Sequence, residues 1–365
     1  MIPDIRRAFN AQWTEERYRT FTDTLTGRAG VPIEFPLSET PCFFPQSLID
    51  ELSRAGEELV RQAISGEAAR AASDVVPEQF RGPGASARPA FLQVDFGLVR
   101  DAGGRTTPRL VELQAFPSLY GFQTALAEAY RDAYELRPEW SAYLSGLSHD
   151  SYQALVREVI VGPHDPAECV LLEIQPDRQK TRPDFAITEQ KWGVRAIDTN
   201  AVVKEGSHLF YHRDGRLTPI RRIYNRVIPD ELLSKGVTLP FDYRDDLDVE
   251  WTGHPEWYFR ISKFSIPWLR HPSVPRTWFL HEVDRLPDAR ERLLLKPLFS
   301  FAGGGIVFAP TDEQLAAIPR ADRNQYILQE RISFAPVIET PHGATQVEIR
   351  MMYIWTDRLL SLIHI

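Results

Sequence analysis

Apolar positions along this chain change their period several times, and each change predicts a different element. Between about 45 and 64, SLIDELSRAGEELVRQAI spaces Leu48, Leu52, Ala55, Leu59 and Ala63 along one helical face. Residues 1 to about 80 read as mainly helical, and RGPGASARP (81–89) is a Gly/Pro-rich connector. The period then falls to two. FLQVDFGLV and PRLVELQAF, joined by the polar turn DAGGRTT, predict a pair of strands. Helical patterns return in GFQTALAEAYRDAYEL and HDSYQALVREVI, between 121 and 160. From about Glu168, CVLLEI reads as a buried strand, DFAITEQKW as a helix and VRAIDTNAVV as a strand. That β-α-β alternation implies a small parallel sheet, continued through the turn HRDGR to a strand PIRRIYNRVI. From about Trp251 a third unit begins, with strands around LLLKP, IVFAP, YILQERISF, QVEIRMMYIW and LLSLIHI.

Composition narrows the class. The 365 residues exceed a usual single core, so two or three subdomains are expected. At 43% hydrophobic and 25% charged, the chain is globular in character. A net charge of −8 argues against nucleic acid as the main partner. Cys42 and Cys169 stand far apart with no metal-ligand spacing, which fits a reducing compartment. Neither a signal core nor a long apolar run is present, so a cytoplasmic protein without a membrane partner is expected. The oligomeric state is not legible.

The chemistry concentrates in five places, each open to two readings. LLLKPLFSFAGGGIV delivers Lys296 from a buried strand to Gly303, Gly304 and Gly305. Successive glycines let backbone N–H groups approach a polyphosphate, with the lysine as a fixed charge; the same glycines also suit a plain turn between strands. Asp95, Glu112 and Gln114 share a face if the first two strands pair, because strand side chains alternate. They form either an oxygen-donor set for Mg²⁺ or a solvated polar face. Lys263, in FRISKFSIPWL, is a phosphate contact or an ordinary lysine. Gln329, Glu330 and Ile332 mark either a strand end or a hinge for an adenosine. Arg350, in QVEIRMMYIW, meets a phosphate or pairs on a wet face near Glu348.

Together these segments resemble the ATP-grasp superfamily of carboxylate–amine ligases. The likeness lies in Ser262-Lys263, Leu294-Leu295-Lys296-Pro297, Gly303 to Gly305, Gln329-Glu330 and Val347-Glu348-Ile349-Arg350. The metal strands of that family are similar to Gln93-Val94-Asp95-Phe96 and Glu112-Leu113-Gln114-Ala115-Phe116-Pro117. Their position ahead of the lysine segments resembles the circularly permuted branch that includes glutathionylspermidine synthetase-like enzymes. Gln93 stands where that family usually has an arginine, and Gln114 where it has asparagine.

The resemblance implies an α/β fold with four parts: a helical region (1–89), a metal-binding half (90–164), a pre-ATP-grasp-like parallel domain (165–245) and a lysine and glycine-loop half (246–365). The last is expected to be truncated, since LLSLIHI stops in mid-run. It implies ATP and Mg²⁺ as cofactors, with Lys263, Lys296 and Arg350 as catalytic residues. Glycines 303–305, Gln329, Glu330 and Ile332 would line the nucleotide, and Asp95, Glu112 and Gln114 would hold the metal. Arg222, Asn225 and Arg226 are candidates for contact with small-molecule carboxylate and amine substrates; a salt-bridged domain interface explains the two arginines equally well. The alternatives are an ATP-binding relative without turnover and an unrelated α/β enzyme.

Overall fold

The helix expected from apolar spacing forms over Gln46–Ile64 and buries Leu48, Leu52, Ala55, Leu59 and Ala63, with Gly56 and Val60 beside them. This computed structural model describes residues 2–39, 41–284, 289–300 and 303–364, the last four in backbone only. Gly56 is needed for close approach, since a Cβ there would lie 2.0 Å from the Tyr353 hydroxyl. The helix covers one face of a four-stranded antiparallel sheet, contributed by Leu92, Val94, Phe96, Leu98, Leu110, Leu113, Ile349, Met351 and Tyr353. Each fully buried leucine in that layer contributes roughly 1.5–3 kcal/mol through lost apolar surface.

The sheet runs in the order Leu359–His364, Glu348–Trp355, Phe91–Arg100, Thr106–Gln114. The expected hairpin therefore forms, and a strand from the far end of the chain lies against its other edge. A second antiparallel sheet has the order Thr277–Phe279, Tyr326–Glu330, Leu293–Pro297, Val307–Phe308. The last two strands flank the glycine segment, whose Phe301 and Ala302 lie outside the described residues, as does Ile365.

The β-α-β reading corresponds to Cys169–Glu173, the helix Arg182–Trp192 and Arg195–Asp198, with the two strands parallel. The run PIRRIYNRVI, expected as one strand, is two. Arg216–Ile220 pairs in a three-stranded antiparallel sheet, whereas Arg222–Asn225 joins the parallel one. The chain changes sheets at Arg221, whose N–H and C=O bond Glu168 and Glu250. The parallel sheet also takes Glu250–Thr252 as its edge, so it extends past the boundary expected at 245. The whole is a mixed α/β structure. No helix among the described residues is long and apolar enough to cross a membrane, and both cysteines are free.

Candidate active site

Period-two alternation gives the antiparallel sheet a second face. One half of it is apolar, where Phe91, Met352 and Ile354 pack with Tyr120 and Tyr152. The other half carries charge. Asp95 pairs in register with Glu112 on one side and Arg350 on the other, so three ionisable groups share one row. Arg350 grips Asp95 through two parallel bonds, Nε to Oδ1 at 2.7 Å and Nη2 to Oδ2 at 2.6 Å. Burial opposes the charge on Arg350, but the Asp95 bonds outweigh it and raise the guanidinium pKa further.

A β-bulge interrupts the pairing beside Asp95: Asp95 opposes Glu112 while Phe96 opposes Leu110, leaving Val111 without a partner. Its carbonyl is free to accept from Lys296 Nζ at 3.4 Å, across from the second sheet. Lys296 is 5% exposed and also donates to Gln329 Oε1 at 2.6 Å. Burial, with help from Lys263, lowers its pKa to about 8, while Glu112 and Glu348 pull the other way.

Lys263 opens a short 3-10 segment capped by Ser262 and is 3% exposed. Its Nζ donates to the Ser300 carbonyl at 2.6 Å and lies 3.6 Å from Glu112 Oε1. Both lysines thus converge on the edge of the carboxylate row, from two separate elements. Glu348 opens to solvent at the rim of the row. The packing around it, followed by the nearby charges of Asp95 and Glu112, pushes its carboxyl up to about 7.

Other expected positions behave differently. Gln93 is fully buried, donates to the Ser118 carbonyl at 2.8 Å and accepts from Gln114 Nε2 at 2.7 Å. It holds the 115–121 segment rather than facing the lysines. Glu330 pairs with Arg276 at 2.8 Å, and Ile332 follows the strand, half-buried. Gly303 and Gly305 take φ of 73° and 72°, in the left-handed region glycine favours; with Gly304 they form the turn beyond Ser300. Arg222 sits at the opposite end of its strand from Arg226, bonded to the Val159 carbonyl and ion-paired with Glu250. Asn225 is spent on backbone, donating to Gly253 and accepting from Val227. Neither Arg222 nor Asn225 is brought toward the lysines.

As donors, Asp95, Glu112 and the Gln114 amide oxygen suit a hard cation. In this arrangement Arg350 takes both Asp95 oxygens. Among the described residues no group of three or more His, Cys, Asp or Glu is placed to hold a metal. A cation here would compete with Arg350 for Asp95. Sequence reading missed the Val111 bulge, the Ser300 carbonyl, Asp230, whose carboxyl feels the Lys263 charge, and Tyr258, whose phenol burial and then Asp230 and Glu112 hold protonated. Nothing in their local sequence marks them.

No protein-family model matches this chain, and no curated protein matches it. Among solved structures it is similar to a glutathione synthetase-like effector from Globodera pallida in its apo form, with a TM-score of 0.60 at 13% identity. The match covers 95% of this chain and 92% of the other. At that identity the likeness is one of fold.

Proposed function

We propose that the chain is an ATP-dependent carboxylate–amine ligase of the circularly permuted ATP-grasp type. The observation that carries the reading is the meeting of Lys263, Lys296 and the Asp95–Glu112–Arg350 row between two antiparallel sheets. The fold-level likeness to a glutathione synthetase-like effector supports it. Lys263 and Lys296, two buried cations, bind the phosphates of ATP. Glycines 303–305 cover them and exclude water, which would hydrolyse an activated acid. Asp95, Glu112 and Gln114 would hold Mg²⁺ in competition with Arg350, and the ion would supply charge screening for the phosphoryl group.

A substrate carboxylate oxygen attacks the terminal phosphorus, forming an acyl phosphate and releasing ADP. An amine nitrogen then attacks the acyl carbon, expelling phosphate and losing a proton to leave an amide. The protein orients these groups and stabilises charge, so no side-chain nucleophile is required.

A second reading, an ATP-binding protein without turnover, is favoured by Gln93, which is buried and bonded to Ser118 where the resembled family has an arginine. ADP release in the presence of Mg²⁺ and mixed amino acids or polyamines separates the two. Steady release supports the ligase. ATP binding without release supports the second reading, and no binding overturns both.

A further inference from the structure

The second antiparallel sheet turns one side toward the carboxylate row and the other toward a separate apolar cluster. Trp278, Leu295 and Leu328 pack in that cluster. Register partners in adjacent strands share a face, so Thr277, Gln329 and Leu294 form a row on the opposite side. Lys296 stands two residues beyond Leu294, on the same face. The resemblance sets Gln329 beside the nucleotide, but its side chain is engaged at both ends.

Gln329 is 1% exposed, so each half of its amide needs a partner. Its Oε1 accepts from Lys296 Nζ at 2.6 Å, and its Nε2 donates to Thr277 Oγ1 at 3.3 Å. Only one orientation of the amide meets both neighbours. An ammonium is purely a donor, so it requires the oxygen. The Thr277 hydroxyl gives its single hydrogen to the Pro275 carbonyl at 2.9 Å, so toward Gln329 it can only accept. Each end of this chain of bonds therefore selects the same orientation.

The chain of bonds also starts and ends on one strand. Thr106–Gln114 fastens the loop ahead of Thr277. The Leu110 N–H donates to the Ser273 carbonyl at 2.8 Å, and Arg109 Nη1 donates to the Pro272 carbonyl at 2.7 Å. From Pro275 the bonds pass through Thr277 and Gln329 to Lys296. Lys296 then returns to the same strand, at the Val111 carbonyl, 3.4 Å away. Two of the three N–H groups of the ammonium are thus directed by protein acceptors, which sets where the third points.

We propose that Thr277 is a positioning residue for Lys296: by accepting from Gln329 it turns the amide oxygen toward the lysine and holds the ammonium at the edge of the carboxylate row. Thr277 acts through Gln329 and not by contact with a nucleotide. The consequence for nucleotide binding rests on the ligase reading; the positioning of the lysine does not.

Acetylation of the full chain by trace acetic anhydride at neutral pH, read by peptide mass spectrometry, reports the free amine at each lysine. The variants are Thr277→Val, which keeps the shape and removes the hydroxyl, and Thr277→Ser, which restores it. Without the hydroxyl the amide is free to turn its NH2 toward the ammonium, which disfavours the charged form. Lys296 should label roughly three- to tenfold faster in Thr277→Val and at the wild-type rate in Thr277→Ser. Lys263, held by Ser300 and Glu112, should label at one rate in all three proteins. The other charges that face Lys296, those of Lys263, Glu112 and Glu348, are present throughout. A threonine that merely supports its strand would leave both lysines unchanged or expose both together, and either result overturns the proposal. So does a serine variant that behaves like the valine one. Thr277→Ala carries the same comparison if the valine variant folds poorly.

Titration with a fluorescent ATP analogue gives a second reading. Thr277→Val should weaken affinity roughly three- to tenfold, and adding it to Lys296→Ala should weaken affinity no further. A loss that persists without the lysine overturns the proposal. If the analogue fails to bind wild type while the labelling follows the expected pattern, the ligase reading falls and the positioning of Lys296 by Thr277 stands.

Discussion

Two arginines, Arg350 within a strand of the antiparallel sheet and Arg226 just past a strand of the parallel one, solve the problem of burial in opposite ways. Arg350 is three-quarters covered and holds both oxygens of Asp95. Arg226 is almost wholly covered, lies over the rings of Phe116 and Phe185, and has no acceptor for Nε or Nη1 among the described residues. The first charge is satisfied in the protein as it stands, so a cation or phosphate arriving at the row must compete with an existing pair. The second leaves two guanidinium nitrogens, Nε and Nη1, without an acceptor among the described residues.

The largest effect expected from this contrast is at Asp95. Asp95→Ala should destabilise the fold by roughly 2–4 kcal/mol, because it leaves a mostly covered Arg350 guanidinium without its bidentate partner. Adding Arg350→Met should recover most of that loss. Urea unfolding of the two single variants and the double variant measures the coupling. A loss no larger than that of an exposed substitution would mean that the row is solvated and the contrast with Arg226 disappears.

Lys296 comes next. Lys296→Ala should weaken ATP binding by about tenfold to a hundredfold, roughly 1.4–2.8 kcal/mol, as read by titration with a fluorescent ATP analogue. Its depressed pKa, about 8 through burial, adds a sign. The protonated lysine attracts phosphate, so wild-type affinity should fall as pH rises through about 8, and the alanine variant should lack that step. An unchanged affinity in Lys296→Ala would remove the nucleotide from the vicinity of this lysine.

Glu348 gives a smaller and opposite pH effect. Its carboxyl is raised from the ordinary 4.5 to about 7 by the sheet packed beneath it and then by Asp95, and because the side chain is exposed at the rim, solvent screens the effect on stability. The folded protein therefore holds a proton that the unfolded chain has lost between those values, and stability contributed by the group declines as pH rises through that window. Glu348→Gln should flatten the decline in melting temperature between about pH 4.5 and 7. An identical slope in both proteins would show that Glu348 does not feel the carboxylate row.

Much of the paired region was legible in the chain, because a period of two places Glu112 and Gln114 on one face and a short turn brings Asp95 opposite. What alternation cannot reveal is the third partner. Glu348–Trp355 joins Phe91–Arg100 from the other end of the chain, and nothing local specifies that neighbour. The bulge at Val111 was equally hidden, since an extra residue in a strand leaves the apolar pattern nearly intact. Around Arg226, local sequence put Arg222, Asn225 and Arg226 together as one candidate group. Their roles diverge because strand geometry sends Arg222 to Glu250 and folds Asn225 onto Gly253, while Arg226, past the strand end, lies over Phe116 and Phe185.

The smallest effect expected is at Gly303. Its φ of 73° strains any residue with a Cβ, at a cost of about 1 kcal/mol. Space is not the obstacle, since the nearest heavy atom to an added Cβ is Ile306 Cδ1 at 3.9 Å. Gly305→Ala should cost more, because it adds a 2.8 Å approach to Pro297 Cγ to the same backbone strain. The loop starts at Ser300, whose carbonyl accepts from Lys263, so Gly303→Ala belongs to the paired region. It should weaken binding of the ATP analogue modestly, in the same titration as Lys296→Ala. An unchanged affinity would set the loop apart from the paired region.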